Sequence, residues 1–260
     1  MIEETFSIYH WEYYLVVLVR VMGALAYAPI FGNMNVTRRA RLFIGIAVAY
    51  AMISVHPYEP LNYTTFLEYS IILLKELVVG LTMGFTANIT LTIINMGGQF
   101  VDREIGFSMV SSFDSNFGVE TTVTSQFYDM LVMVIMLSSS MHYYILSALA
   151  DSFDLIPIGQ VVIDAGKLYD TMIEYIAAYF VIGLRICLPV IIATILVSVV
   201  LGVLAKTAPQ LNMFVVGFQL KIFVGLAVVF VTLQFLPTIT TYVFEQMQII
   251  VQKVMQVFMV

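Results

Sequence analysis

The sequence predicts an all-α membrane protein, and two observations carry that prediction. Of 260 residues, 11% are charged and 61% belong to the apolar set, whereas a soluble domain gives about a quarter of its residues to charge; mean hydropathy is +0.97. The apolar residues also form runs, such as Val190 to Ala205, without alternation of polar and apolar positions. In hydrocarbon, backbone groups are satisfied only by helices or closed barrels, and barrel strands alternate. Such runs therefore read as helices. Their surplus apolar surface exceeds what a soluble domain of this length hides, so it must face lipid or other subunits.

Six apolar segments are expected, at roughly 13–31, 42–55, 66–94, 127–149, 175–205 and 213–244. Crossing the hydrocarbon takes about 20 helical residues, which 13–31, 77–94 and Ile176 to Ala205 meet most easily. Leu42 to Val55 is short: it either extends backward through Arg38, Arg39 and Arg41 or leans on the bundle without spanning. Lys221 and Pro237 interrupt the last segment. Pro189 removes an intrahelical donor, so a kink or a break is expected near Cys187 to Pro189. Pro29 and Pro57 lie near segment ends and read as terminators. Residues 1–12 carry Glu3, Glu4 and Glu12 without a basic region or a small-residue cleavage site, so the first helix is expected to remain in the mature protein. Beyond the six, Met247, Ile250, Val251, Val254, Met255 and Phe258 share a stripe opposed by Gln248, Gln252, Lys253 and Gln256. An amphipathic helix over about 245–260 follows, lying on a membrane or partner or packing across its own bundle.

Orientation follows from the basic residues. Arg38, Arg39 and Arg41 after the first segment argue for the cytoplasmic side. The same alternation places the connection 95–126 inside, although it holds Asp102, Glu104, Asp114 and Glu120 against Arg103 alone. Either the simple topology fails there or this connection lines a polar interior. It begins Gly97-Gly98-Gln99 and continues through Gly106-Phe107-Ser108-Met109 to Phe113 and Phe117. Glycines allow tight turns, and Phe and Met are large, adaptable packing groups. The mixture suits either a turn tucked into the bundle or the closure of an aqueous passage.

Arg20, Lys75, Glu76, Asp129, Arg185 and Lys221 interrupt apolar segments. Facing lipid they would be costly, so pairing, snorkelling or a water-lined surface is expected; assembly contacts, an ion relay and contact with a passing substrate all remain open. Gly80-x-x-x-Gly84 has the spacing of a close helix contact, though glycine is common in membrane helices. Enzymatic chemistry is not expected. The single Cys187 excludes an internal disulfide, and His10, His56 and His142 lack ligand spacing. No nucleophile elbow, HExxH or nucleotide-binding glycine loop occurs. The acidic balance and lack of a basic run argue against nucleic acid.

The stretch Lys206-Thr207-Ala208-Pro209-Gln210-Leu211-Asn212-Met213-Phe214, continued by Val215-Val216-Gly217-Phe218-Gln219-Leu220-Lys221-Ile222, closely resembles the signature of the FliR family. This is the flagellar member of the type III export gates shared with virulence injectisomes. Arg20, Ala28-Pro29, Pro57, Glu76 with Gly80 and Gly84, and Gly106-Phe107-Ser108 match in the family's order over nearly the whole chain. The Ala-Pro-Gln-Leu-Asn stretch is the specific part. Two departures stand out: Phe113-Asp114 is followed by Ser115-Asn116 where many relatives have Pro, and Gln219 stands where Pro is frequent.

The resemblance implies a single membrane-embedded export-gate domain over 1–260, built from helical hairpins partly lifted above the bilayer. It implies a place in the bacterial inner membrane, within the flagellar basal body. With FliP and FliQ as partner subunits, and FlhB around the entrance, the family forms a closed channel for unfolded flagellar proteins. The family's central loop serves as a plug, which maps to about 106–118 here, with Gly106, Phe107, Ser108, Met109, Phe113 and Phe117 as sealing residues. Lys75, Glu76, Arg185, Pro209, Gln210 and Lys221 are the expected polar or assembly contacts. No cofactor is implied. A small-solute or ion transporter using Glu76, Asp129 and Arg185, an injectisome subunit and a purely structural anchor are the alternatives.

Overall fold

The computed structural model describes residues 8–32, 36–56, 58, 60–107, 122–207 and 212–259. The described residues fold into helices and no strand: α1 (Ile8–Tyr27), α2 (Arg38–Val55), α3 (Phe66–Ile105), α4 (Val123–Ser138), α5 (Met141–Leu155), α6 (Ala165–Thr207), α7 (Met213–Leu233) and α8 (Leu236–Val257). The expected all-α membrane class holds. Three helices, α3, α6 and residues Val215–Leu233 of α7, are long and apolar enough to cross a membrane; α4 and α5, bent by 69°, make a fourth candidate if taken as one span.

The element ends have local causes. Thr37 caps α2 by accepting from the Ala40 amide, so α2 does extend through the arginines. Glu68 folds back over the start of α3 to accept from the Thr64 and Thr65 amides, a carboxylate at the positive end of the helix. Asp164 accepts from the Gly166 and Lys167 amides ahead of α6. These donors, the Lys167 amide foremost, hold its carboxyl below the usual carboxylate range.

Several segment boundaries differ from the sequence expectation. The 66–94 segment continues to Ile105, because the Gly97-Gly98 pair is helical. The single segment 127–149 is two helices joined at Ser139-Ser140, with Ser140 left-handed at φ 59°. The segment 213–244 is likewise two helices, divided at Gln234-Phe235. Lys221 sits inside α7 without interrupting it, and Pro237 opens α8, where its missing N–H is harmless. Of the two outcomes expected at Pro189, a break does not occur: α6 runs through it for 43 residues. Cys187 and Val190 on either side are buried, so packing outweighs one lost backbone bond.

The chain divides into two compact units, residues 1–89, 137–175 and 244–260 forming the first, 90–136 and 176–243 the second. In the first, Tyr13, Val17, Val21, Ala24 and Leu25 of α1 pack with Ala49 of α2 and Leu149 and Phe153 of α5. The C-terminal stripe is buried in the same unit, with Met247, Val251, Val254, Met255 and Phe258 inside.

Helix α1 meets α3 at backbone distance. A Cβ on Gly80 would lie 2.1 Å from the Arg20 carbonyl oxygen, and one on Gly84 would lie 2.2 Å from that of Ala24. Neither clash can be relieved by rotating a side chain. In the second unit Ile93, Ile94, Val101 and Ile105 of α3, Val132 of α4, and Tyr179, Ile186 and Val190 of α6 are buried, while α7 leaves Phe223 and Phe230 exposed.

Replacing Gly with Ala in a helix interior ordinarily helps by about 1 kcal/mol. Gly80→Ala and Gly84→Ala are expected to do the reverse, destabilising by about 1–3 kcal/mol as overpacked contacts do. Gly202→Ala, with no atom near its Cβ position, should be neutral or stabilising. Thermal unfolding of the three variants in detergent checks the difference.

Candidate functional site

Among the described residues the fully buried charged groups lie at two places, one in each unit. In the first, Arg20 of α1 and Glu76 of α3 are both fully buried. Arg20 Nε donates to Glu76 Oε2 at 2.6 Å. Its Nη1 donates to the carbonyls of Ser152 and Ile156 at 2.9 and 3.0 Å, and Nη2 also reaches Ile156 at 3.0 Å. The guanidinium carbon lies 4.5 Å above the Phe153 ring. Glu76 Oε1 accepts from the Gly159 amide at 3.0 Å, and neighbouring Lys75 donates from Nζ to the Val161 carbonyl at 3.0 Å.

This geometry solves a specific problem. The chain leaves α5 at Leu155 and remains irregular to Asp164, and the carbonyls that end a helix have no intrahelical donors. Arg20 supplies donors to the Ile156 carbonyl and adds one to the Ser152 carbonyl, which also accepts from the Ile156 amide; Glu76 neutralises Arg20, and Gly159 completes the carboxylate. A planar guanidinium can serve three acceptors in fixed directions, which a lysine cannot. The node is therefore a structural lock on the 152–161 stretch.

In the second unit, Asp102 is fully buried near the end of α3. Its Oδ2 accepts from the Thr124 amide at 2.8 Å and the Ser125 amide at 3.3 Å, and its Oδ1 accepts from the Thr124 hydroxyl. Asp102 thus caps α4 from across the hairpin, placing a carboxylate where the free amides and the helix dipole favour it. The Asp102 carbonyl accepts from the Gly106 and Phe107 amides at 3.0 and 2.8 Å. Gly106 has φ +99°, which glycine accommodates without strain. Gly98 allows α4 to approach, since a Cβ there would lie 2.6 Å from Ser125 Cα. The Ser125 hydroxyl donates to Asn95 Oδ1. One residue therefore anchors both the point where the chain leaves α3 and the point where it enters α4.

Gly106 and Phe107 stand at the end of that stem, both half-buried. Ser108, Met109, Phe113 and Phe117, like Pro209 and Gln210, lie outside the described residues. Arg185 is exposed on α6 and Lys221 is half-buried on α7. In the sequence Asp102 is one acid among several in an expected loop; the helical continuation through Gly97-Gly98 is what gives it a role. Among the described residues no cluster of His, Cys, Asp or Glu could hold a metal ion.

Breaking the buried pair from one side leaves an uncompensated charge, which costs about 3–5 kcal/mol. Glu76→Gln is expected to lose that much stability. The exchanged pair Arg20→Glu with Glu76→Arg should not recover it, because a carboxylate at position 20 would face the Ser152 and Ile156 carbonyls. Chemical denaturation in detergent checks both; recovery by the exchange would contradict the role given to the carbonyls.

Residues 11–247 match the model of a family described as bacterial export proteins, family 1. Among similar proteins, the flagellar biosynthetic protein FliR of Bacillus subtilis (strain 168) is 30% identical over 235 residues, covering 89% of this chain and 90% of that protein. FliR of Escherichia coli (strain K12) is 24% identical over 242 residues, covering 92% and 89%. That of Buchnera aphidicola subsp. Acyrthosiphon pisum is 26% identical over 215 residues, covering 82% of each. With the family match running through nearly all of the helical bundle, this chain belongs to the bacterial export proteins of family 1.

Proposed function

We propose that the chain is a noncatalytic subunit of the flagellar type III export gate in the bacterial inner membrane, at the centre of the basal body. The observation that carries this reading is the near-complete coverage shared with proteins named flagellar biosynthetic protein FliR. The physical character of the helices supports it. Helices α3 and α6, of 40 and 43 residues, measure about 60 and 65 Å at 1.5 Å per residue, roughly twice a hydrocarbon core. A chain that simply spanned lipid would have no use for such lengths; a subunit covered by other subunits would.

In this reading FliP and FliQ complete a channel for unfolded flagellar proteins, and FlhB contacts its entrance. The segment from about 106 to 118 is the plug, with Gly106, Phe107, Ser108, Met109, Phe113 and Phe117 closing the passage. Its support is the composition of the segment and the Asp102 stem, which ties the end of α3 ahead of it to the start of α4 after it. Pro209 and Gln210 stand between the end of α6 and the start of α7 and serve as a helix junction; Lys75, Glu76, Arg185 and Lys221 are polar contacts rather than bond-making groups. For Lys75 and Glu76 those contacts lie within the chain itself.

Deleting Gly106 to Gly118 is expected to make the assembled gate conduct ions, read as collapse of the membrane potential in cells that express the complex. A membrane as tight as wild type, with the complex assembled normally, would sink the plug assignment.

A further inference from the structure

The long helix α6 has two unlike faces. Tyr179, Ile186, Cys187, Val190 and Thr194 are buried. On the opposite side Val181, Leu188, Ile192, Ile195 and Val199 are each about half exposed (45–60%), and one further residue in that row, at helical spacing from Val181 and Leu188, is Arg185, also exposed. Among the described residues the ion pairs are Arg20–Glu76, His56–Asp154 and Lys167–Asp164, and none includes Arg185. Pro189 is exposed beside it; lacking an N–H, it withdraws the intrahelical donor that the Arg185 carbonyl would otherwise have.

Length decides what covers this face. From Ala177, exposed at the same helical spacing, to Val203 the row extends about 40 Å along the helix at 1.5 Å per residue, beyond a hydrocarbon core of about 30 Å. Lipid tails cannot cover all of it in an upright helix, and Arg185 falls within the row, not at its end. An arginine in an apolar setting is retained where a carboxylate or an equivalent acceptor meets it. We infer that the exposed face of α6 docks an apolar helix of another subunit that carries a carboxylate, and that Arg185 forms an interchain ion pair with it. This rests on the reading of the chain as one subunit of an export complex and adds the face, the residue and the chemistry of the partner.

The test uses the full chain, purified in mild detergent from membranes that contain the rest of the export apparatus. Arg185→Glu is expected to remain in the membrane at wild-type amount while losing co-purified partner chains on the order of tenfold or more, as truncated buried pairs do at interfaces. Arg185→Leu should lose them too, because it strands the partner's carboxylate, whereas Arg185→Lys should retain a substantial fraction. Selection for restored motility in the Arg185→Glu strain should return Asp or Glu to Lys or Arg changes in an apolar segment of another export chain. Normal recovery of partners with Arg185→Glu would overturn the inference and leave the export reading intact. Restoration only by a change within this same chain, or Arg185→Leu behaving as wild type, would also overturn it. Wild-type chain that purifies alone would overturn both.

Discussion

Hydrocarbon thickness is the constraint on which the structure turns. A bilayer offers an apolar layer of about 30 Å, and α3 and α6 are each about twice that long. Lipid can cover only part of them. The remainder has to be covered by the chain itself or by other subunits. Helix α6 shows both solutions, with one face buried and the other left open. An export-family chain in which the open face belongs to neighbouring subunits satisfies the constraint without leaving apolar surface in water.

The same constraint explains how the charges are arranged. Arg20, Glu76 and Asp102 are fully buried, and each is met by hydrogen-bonding partners. Arg20 meets carbonyls at the end of α5; Asp102 meets amides at the start of α4. In each case a helix terminus, which would otherwise hold unsatisfied groups in a medium of low polarity, is closed by a charged side chain from a distant helix. The glycines serve the same economy of space, letting α1 lie against α3 at Gly80 and Gly84 and α4 against α3 at Gly98. Arg185 differs because it is charged, exposed and set among apolar neighbours.

Much of this architecture is legible in the residues. Unbroken apolar runs and scarce charge lead to helices, and the Ala208-Pro209-Gln210-Leu211-Asn212 stretch leads to the export family. Boundaries are harder where local preference and tertiary packing disagree. Gly97-Gly98 suggests a loop, but the close approach of Ser125 makes use of glycine inside a helix. Ser139-Ser140 carries no apolar interruption strong enough to announce the bend between α4 and α5. Pro189 suggests a break that packing of Cys187 and Val190 prevents. The partners of Arg20 cannot be read at all: Glu76 lies 56 residues away, and the Ser152 and Ile156 carbonyls 132 and 136 residues away. Backbone acceptors leave no mark in side-chain spelling.

If hydrocarbon thickness governs the molecule in this way, the open apolar surface of α6 belongs to protein neighbours as well as to lipid. Spin labels placed one at a time along its exposed face from 177 to 203, read by collision with dissolved oxygen and with a water-soluble relaxer, measure this most directly. In the assembled complex the expected profile is a lipid-accessible band no longer than about 20 residues, with the positions beyond it protected from both probes, and protection lost when the partner subunits are absent. An accessibility profile that is the same with and without those subunits would contradict it.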